Sequence, residues 1–358
     1  MFEPETCATL GLRTAEAAEN RDKNKVPAQS TYEERQTKRE EPEMGFSKKL
    51  LGAAAALLMA GTLGAQAQDW QPEGTLTLQI GFGAGGSTDT IGRVLAAQMR
   101  EQTGWNIVAE NVTGGGGIAM FAGIANRPPT NDVVGLGVTM PILINLVRRG
   151  SELGFDLDSF AYVGTLANAQ LALVARGDAP YDTLEEFLAY AAANPGLTVG
   201  FDAPPQQALI AAVARDAGLQ FNMVTMESSA DSVRFLLGSQ VDAAFSSGVH
   251  IPYLETGEMV TLASANRERL SYAPDVATFV DLGYNYFVDP YYFLGMHADS
   301  DPAAVAAIAA AVDAALQTPA MIEIIQNINT TPPLNLGIEG TRQMLGDSLI
   351  VAQGLFGG

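Results

Sequence analysis

The chain of 358 residues contains a single cysteine, Cys7, so no disulfide can staple it. Lysine is confined to the front of the chain, at Lys23, Lys25, Lys38, Lys48 and Lys49. From Gln68 onward there are eleven arginines, thirty Asp and Glu residues and no lysine. Histidine occurs only at His250 and His297. These gaps remove whole classes of chemistry from that stretch: no lysine for a Schiff base, no cysteine nucleophile, no cluster with zinc-ligand spacing. A Ser–His–acid order, a Walker loop and a metal motif are missing as well, and no cofactor is implied. The net charge of -20 excludes the cationic surface that nucleic acid requires. It equally opposes docking on an anionic membrane.

What is present is the material of a packed protein. Hydrophobic residues make up 47% and charged residues 17%, and the length is comfortable for two domains. Residues 44–67, MGFSKKLLGAAAALLMAGTLGAQA, read as an export signal. Lys48 and Lys49 form its basic end, Leu50 to Leu63 its apolar stretch, and Ala65-Gln66-Ala67 a small-x-small cleavage site. The apolar run is short of the about 20 residues that a permanent span needs, which weighs against the alternative of a retained anchor. No cysteine follows the site, so a lipid anchor is not expected, and the mature protein is expected in the periplasm after cleavage near Ala67. Residues 1–43 carry seventeen charged residues and few large apolar ones, a composition that cannot sustain a core. They are expected to be a disordered or non-native extension, with Met44 standing where the signal's own start belongs.

Beyond the signal, strands and helices alternate. Thr75–Ile80 reads as a strand, followed by the loop GFGAGGSTD over 81–89. Thr90 to Gln102 then places Ile91, Val94, Leu95 and Met99 on one helical face. Strands over 106–110 and 133–138 flank a helix over 118–125, and 162–174 carries two apolar runs suited to one long strand. Thr183-Leu-Glu-Glu186 is a capping box opening a helix that stops at Asn194-Pro195-Gly196. Strands at 197–201, 220–226, 241–245 and 259–263 and helices at 206–217 and 232–237 follow. Asp301-Pro302 opens a last helix striped by Val305, Ile308, Val312 and Leu316. Such units predict an α/β protein with mostly parallel sheets covered on both faces.

The glycine loop admits two readings. Gly81-Phe-Gly83-Ala-Gly-Gly86 satisfies G-x-G-x-x-G between a strand and a helix, and Glu110 ends the next strand, as in an NAD-binding dehydrogenase. Export away from the nicotinamide pool and the lack of a proton-donating partner oppose that reading. In the second, glycines admit a ligand close to the backbone, and successive N–H groups at a helix start cradle an anion. Ser87 and Thr88 add hydroxyl donors, and Asp89 is expected to cap a helix beginning at Thr90. A plain glycine-rich turn is the ordinary alternative here, and more so at Gly114 to Gly117.

Taken whole, GFGAGGSTD resembles the PFPAGGSTD loop of the substrate-binding proteins of tripartite tricarboxylate transporters, the Bug family. Val108-Ala-Glu-Asn111 with Gly114–Gly117 is similar to that family's VVENRPGAGG. Phe160–Thr165, Asn194-Pro-Gly196, Leu237–Asp242 and Phe293-Leu-Gly295 also fit in order, so the resemblance covers nearly all of the mature chain. It implies a two-lobed periplasmic binding protein fold of type II, with hinge strands joining the lobes and no catalytic role. The lobes would be 75–168 plus 291–358, and 169–290. It further implies a receptor that captures a small organic acid and hands it to integral-membrane transporter subunits, and the acidic surface suits a monomer; a sensor for a signalling partner is the competing role.

In the first lobe the candidate ligand-binding residues are Phe82, Gly83, Ala84, Gly85, Gly86, Ser87, Thr88 and Asp89, with Thr139 and Asn168. Gly86→Val is expected to block the ligand's own space and to forbid the backbone angle. The second lobe departs from the family, with Phe201-Asp-Ala-Pro-Pro-Gln-Gln207 in place of SSGxGS and Met226-Glu-Ser-Ser229 in place of PYKG. Asp202, Ala203, Gln206, Glu227 and Ser228 are the candidates there. Asp202 could instead cap the following helix, and Glu227 could be a solvated surface acid. Acids facing the cleft would repel a plain tricarboxylate and favour one carboxylate with a polar or cationic far end. His297 is expected to be structural, while His250 could line the cleft; of Tyr284, Tyr286, Tyr291 and Tyr292, one could cover the ligand.

Overall fold

The structure, a computed structural model, describes residues 70–356. The expected signal at 44–67 and the extension at 1–43 lie outside the described residues.

Strand β1 (Leu76–Ile80) buries Leu76, Leu78 and Ile80, the alternation of a strand with one face on a core. Helix α1 (Ser87–Thr103) crosses to β2 (Ile107–Asn111), and α2 (Ile118–Ala125) to β3 (Val133–Val138). Helix α3 (Thr139–Arg149) leaves β3 without a linker and leads to β4 (Phe160–Asn168). The chain then enters a second series: β5 (Ala172–Arg176), α4 (Leu184–Ala193), β6 (Thr198–Phe201), α5 (Pro204–Asp216), β7 (Asn222–Thr225), α6 (Ser229–Leu237), β8 (Ala243–Ser246), α7 (Ile251–Glu255) and β9 (Met259–Ser264). It returns through β10 (Tyr291–His297) and ends in α8 (Pro302–Leu316), α9 (Pro319–Asn329) and α10 (Gly337–Phe356).

The strands form two five-stranded sheets with the same ordering logic, β2-β1-β3-β10-β4 and β7-β6-β8-β5-β9. Each sheet is mixed, not mostly parallel as expected. In the first, β10 runs antiparallel to both β3 and β4; in the second, β5 runs antiparallel to β8 and β9. The reversed strands are the ones that arrive from the other lobe, so their direction is set by the crossing and not by a local strand–helix unit. The molecule has the two-lobed α/β fold.

The long strand expected over 162–174 is two strands in different sheets, broken at Ala169-Gln170-Leu171. Asn266 fastens this crossing: its side-chain oxygen accepts the Leu171 N–H at 2.7 Å and its amide donates to the Ala169 carbonyl at 3.1 Å. Ala169 N–H also donates to Pro290 O at 2.7 Å, tying the outgoing chain to the returning one. The expected capping box at α4 is half realised. Thr183 Oγ1 accepts the Glu186 N–H at 3.2 Å, but the Glu186 carboxylate accepts from Asp182 N–H at 3.0 Å, one residue further back. The start of α8 matches the sequence pattern: Asp301 accepts the Ala303 N–H, and Val305, Ile308, Val312 and Leu316 are buried.

Candidate functional site

In open α/β sheets a ligand cleft forms beyond the carboxyl ends of the strands. Here the turns after β1, β3, β6, β7 and β8 meet there, and they line a cleft with a cavity of about 40 Å³ between the two sheets. Phe82, Gly86, Ser87 and Thr88 line it from one side, with Asp202, Ala203, Gln206 and Ser228 facing them. These eight candidates are therefore brought together. Sequence reasoning missed Met140, Pro141, Ser229, Ser247 and Pro290, which belong to the same wall with several further apolar residues. Ser246-Ser247-Gly248 at the end of an apolar strand was the available signal: a donor-rich turn at a strand's carboxyl end.

The first intrahelical bond of α1 runs from Thr90 N–H to Gly86 O at 2.9 Å. The N–H groups of Ser87, Thr88 and Asp89 therefore have no acceptor within the helix, and the helix dipole adds positive potential at the same place. Helix α1 begins at Ser87, three residues before the expected Thr90, with Gly86 as its N-cap. Asp89 is thus its third residue and not its cap. Buried away from the cleft lining, it accepts from Gly85 N–H at 2.9 Å, Arg93 Nε at 2.8 Å and Asn111 Nδ2 at 2.8 Å. Burial alone would raise this carboxyl, but the bonds from Arg93, Gly85 and Asn111 outweigh it and hold Asp89 below the usual range. Its task is to fix the loop, since Asn111 also donates to Phe82 O at 2.9 Å.

Several candidates stand outside the lining. Gly83 donates its N–H across the cleft to Glu227 O at 2.8 Å, which closes the loop to a pyrophosphate. Ala84 and Gly85 are exposed. Glu227 also has an exposed side chain, and it contributes its backbone carbonyl instead. Thr139 is fully buried and accepts the Tyr291 N–H at 3.1 Å, a bond that fastens the start of α3 to β10. Asn168 faces a separate groove behind the crossing, beside Asn266 and Tyr291. Glu110 accepts from Gln79 Nε2 at 2.8 Å on the surface.

In the second lobe Asp202 is neither a helix cap nor a surface acid. The N-cap of α5 is Ala203, and no side chain caps it. Asp202 Oδ1 accepts from Gln206 Nε2 at 2.6 Å and Oδ2 from Ser229 Oγ at 3.2 Å. In return, Asp202 N–H donates to Gln206 Oε1 at 2.9 Å. The accessible edge of Asp202 opens on the cleft, and burial pushes its carboxyl up to about 6 against the lowering influence of those bonds.

Ser87 Oγ donates to Ser247 O, joining the lobes, and Ser247 Oγ lies 3.1 Å from the Tyr292 hydroxyl. Tyr292 is the one of the four tyrosines in the lining, and burial pushes its phenol up to about 12. His250 is not among the cleft residues. It is fully buried at the start of α7, its Nε2 3.0 Å from the Tyr272 hydroxyl, and burial drives it down to about 3. His297 Nδ1 accepts the Asp299 N–H at 3.0 Å, the structural role expected of it.

The loop after β2 abuts the same cleft. Gly114 to Gly117 all have positive φ, and a Cβ on Gly116 would fall 3.0 Å from the Cβ of Ala203 in the other lobe. Among the described residues, no group of three His, Cys, Asp or Glu is placed to hold a metal ion. What the arrangement offers is neutral donors at a helix N-terminus, an apolar wall and one acid.

Comparison with known proteins gives this geometry a family. The model of the tripartite tricarboxylate transporter family receptor, TctC, matches residues 91–349. The UPF0065 protein in the gbd 5' region of Cupriavidus necator is 31% identical over 240 residues, 65% of this chain and 72% of the relative. The structure of the periplasmic binding protein BugD superposes with a TM-score of 0.71 at 21% identity, over 80% of this chain and 97% of that one. MatC from Rhodopseudomonas palustris, with bound malate, gives 0.71 at 23% identity over 80% and 100%. The dehydrogenase reading of the glycine loop falls with this match, and the chain belongs to the tripartite tricarboxylate transporter receptor family: it is a solute-binding receptor of the Bug type, not an enzyme.

Proposed function

We propose that this receptor closes its two lobes over a small organic acid, seats the carboxylate on the N-terminus of α1, and delivers it to integral-membrane transporter subunits. The observation that carries the reading is the unpartnered row of N–H groups at Ser87, Thr88 and Asp89, two of these residues lining an interlobe cleft. A carboxylate needs several converging donors and no bulky neighbour, and such a helix start supplies both. The bound malate of MatC supports the ligand class, and the family supports the transporter partner.

In this reading Phe82, Gly86, Ser87, Thr88, Asp202, Ala203, Gln206 and Ser228 touch the ligand. The remaining candidates hold the loops that present these groups. The lobes are 75–168 with 291–358, and 169–290, the division the two sheets support. The protein works as a monomer in the periplasm, exported by the signal at 44–67.

A thermal-shift screen over mono-, di- and tricarboxylates and amino acids tests the reading. A ligand far above its Kd raises stability by a few kcal/mol, about 2.7 at a hundredfold excess. A melting temperature that no carboxylate raises contradicts it. Mass spectrometry of the small molecules retained by protein purified from its own periplasm then identifies the natural ligand.

A further inference from the structure

Among the described residues that line the cleft, Asp202 is the one carboxylate, and no Lys, Arg or His accompanies it. Resting on the carboxylate-receptor reading above, we propose that Asp202 sets the ligand class: the cleft takes an amino acid, with one carboxylate and one protonated amine, and rejects a dicarboxylate.

The hydrogen bonds around Asp202 fix the polarity of that corner. The Gln206 amide is committed in both directions, its N–H to Asp202 Oδ1 at 2.6 Å and its oxygen to Asp202 N–H at 2.9 Å. One N–H of the Gln206 amide is held by this pair, and its second N–H is uncommitted. The single hydroxyl proton of Ser229 goes to Asp202 Oδ2 at 3.2 Å. Each carboxylate oxygen has capacity for a further bond, since an ionised carboxylate accepts at about four lone-pair sites. Asp202 therefore turns unused acceptor capacity and the one charged side chain of the lining toward the cleft.

Across the cleft the start of α1 offers free N–H groups and the Thr88 side chain at the wall, with no carboxylate beside them. A ligand with a carboxylate at one end and an ammonium at the other matches both ends. Its ammonium would also supply the cation that the cleft does not provide. A dicarboxylate would set a second anion against Asp202 in a site shielded from water, where like charges are strongly unfavourable.

One rival arrangement has Asp202 protonated and donating to a second carboxylate, and pH separates the two. Burial pushes the Asp202 carboxyl up to about 6; the groups facing it are Asp231 on α6, whose charge raises it further, and the Tyr292 phenol from β10. An amino acid binds the ionised form, so its affinity holds at neutral pH and weakens on acidification. A dicarboxylate held by the protonated form would show the opposite trend.

Calorimetric titration of the full protein with matched pairs tests the proposal: glycine and malonate, β-alanine and succinate, γ-aminobutyrate and glutarate, δ-aminovalerate and adipate. Each is run at neutral pH and below the raised Asp202 pKa, with wild type and D202N. The wild type is expected to bind at least one amino acid about tenfold or more tighter than its matched dicarboxylate at neutral pH. D202N, shown folded by its circular dichroism and melting, is expected to lose that preference. Dicarboxylates that bind while the amino acids do not, or a preference unchanged in D202N, overturn the inference and leave the carboxylate-receptor reading standing. If neither series binds, both fall.

Discussion

Ser87 and Thr88 place side-chain hydroxyls beside free backbone donors, but the two hydroxyls have different work. That of Ser87 donates across the cleft to Ser247 O, so it helps hold the lobes together, while Thr88 stands at the wall. The backbone N–H groups survive any side-chain change and carry most of the anion binding. A hydrogen bond to a charged oxygen is worth about 1–3 kcal/mol, so Ser87→Ala with Thr88→Val is expected to weaken binding roughly ten- to several-hundred-fold. Calorimetry with the identified ligand checks this, and an unchanged affinity removes the two hydroxyls from the site. Two buried ionisable groups pull stability in opposite directions with pH. His250 has a folded pKa near 3 against 6.5 unfolded, so the unfolded chain takes up its proton first. Its influence is nil above 6.5 and destabilises progressively as pH falls toward 3, by at most about 1.4 kcal/mol per pH unit. Asp202 is raised from 3.8 to about 6, so its contribution is full below 3.8 and is lost as pH rises through 6. Urea unfolding across this range is expected to show a flatter acid limb for His250→Gln and a steeper one for Asp202→Asn. Identical pH profiles for the variants and wild type would contradict both assignments.

Elements explain why some of the site could be read from sequence and some could not. The glycine loop and α1 were legible because a strand, a tight turn and a helix start follow one another within a few residues. Helix α3 was not read as a helix: Pro141 sits at its third position and no side chain caps it. That proline removes a donor from the cleft, as Pro204 and Pro205 do at the start of α5, leaving α1 and α6 as the helices whose first turns keep their N–H groups. Helix α10 carries four glycines, which weaken any propensity signal, and forms by packing Leu345, Ala352 and Phe356 into the core. Ser229, Ser247 and Tyr292 reach the cleft only through sheet pairing across long stretches of chain, which no local pattern records. The meeting of α1 with α6 also corrects the reason for one expectation. Gly86 has φ -77° and ψ 173°, a backbone open to any residue, so the angle forbids nothing. A Cβ there would fall 2.9 Å from the Cβ of Ser228 in the facing lobe. Gly86→Val is therefore expected to wedge the lobes apart, with ligand affinity lost by more than in the double hydroxyl variant. Its melting temperature without ligand should stay close to wild type; a variant that unfolds instead would place Gly86 in the core of one lobe.

At the scale of the molecule, the two sheets and their reversed strands make a body with one fastened crossing. The bonds that span the cleft mouth are few, Gly83 N–H to Glu227 O and Ser87 Oγ to Ser247 O among them. Each contributes about 1 kcal/mol net, while closure removes water from the α1 donors and from Asp202. A bound ligand offsets that desolvation, so an open arrangement is expected to predominate in its absence. Among the described residues no Lys or Arg lines the cleft, so affinity rests on neutral donors inside a closed site and not on long-range attraction. The account stands or falls on closure over a carboxylate, and small-angle X-ray scattering of the free protein and of the protein saturated with the acid found in the screen measures it. The radius of gyration is expected to fall on binding in the wild type and to stay unchanged in Gly86→Val; a wild-type radius that does not change at saturation would contradict it.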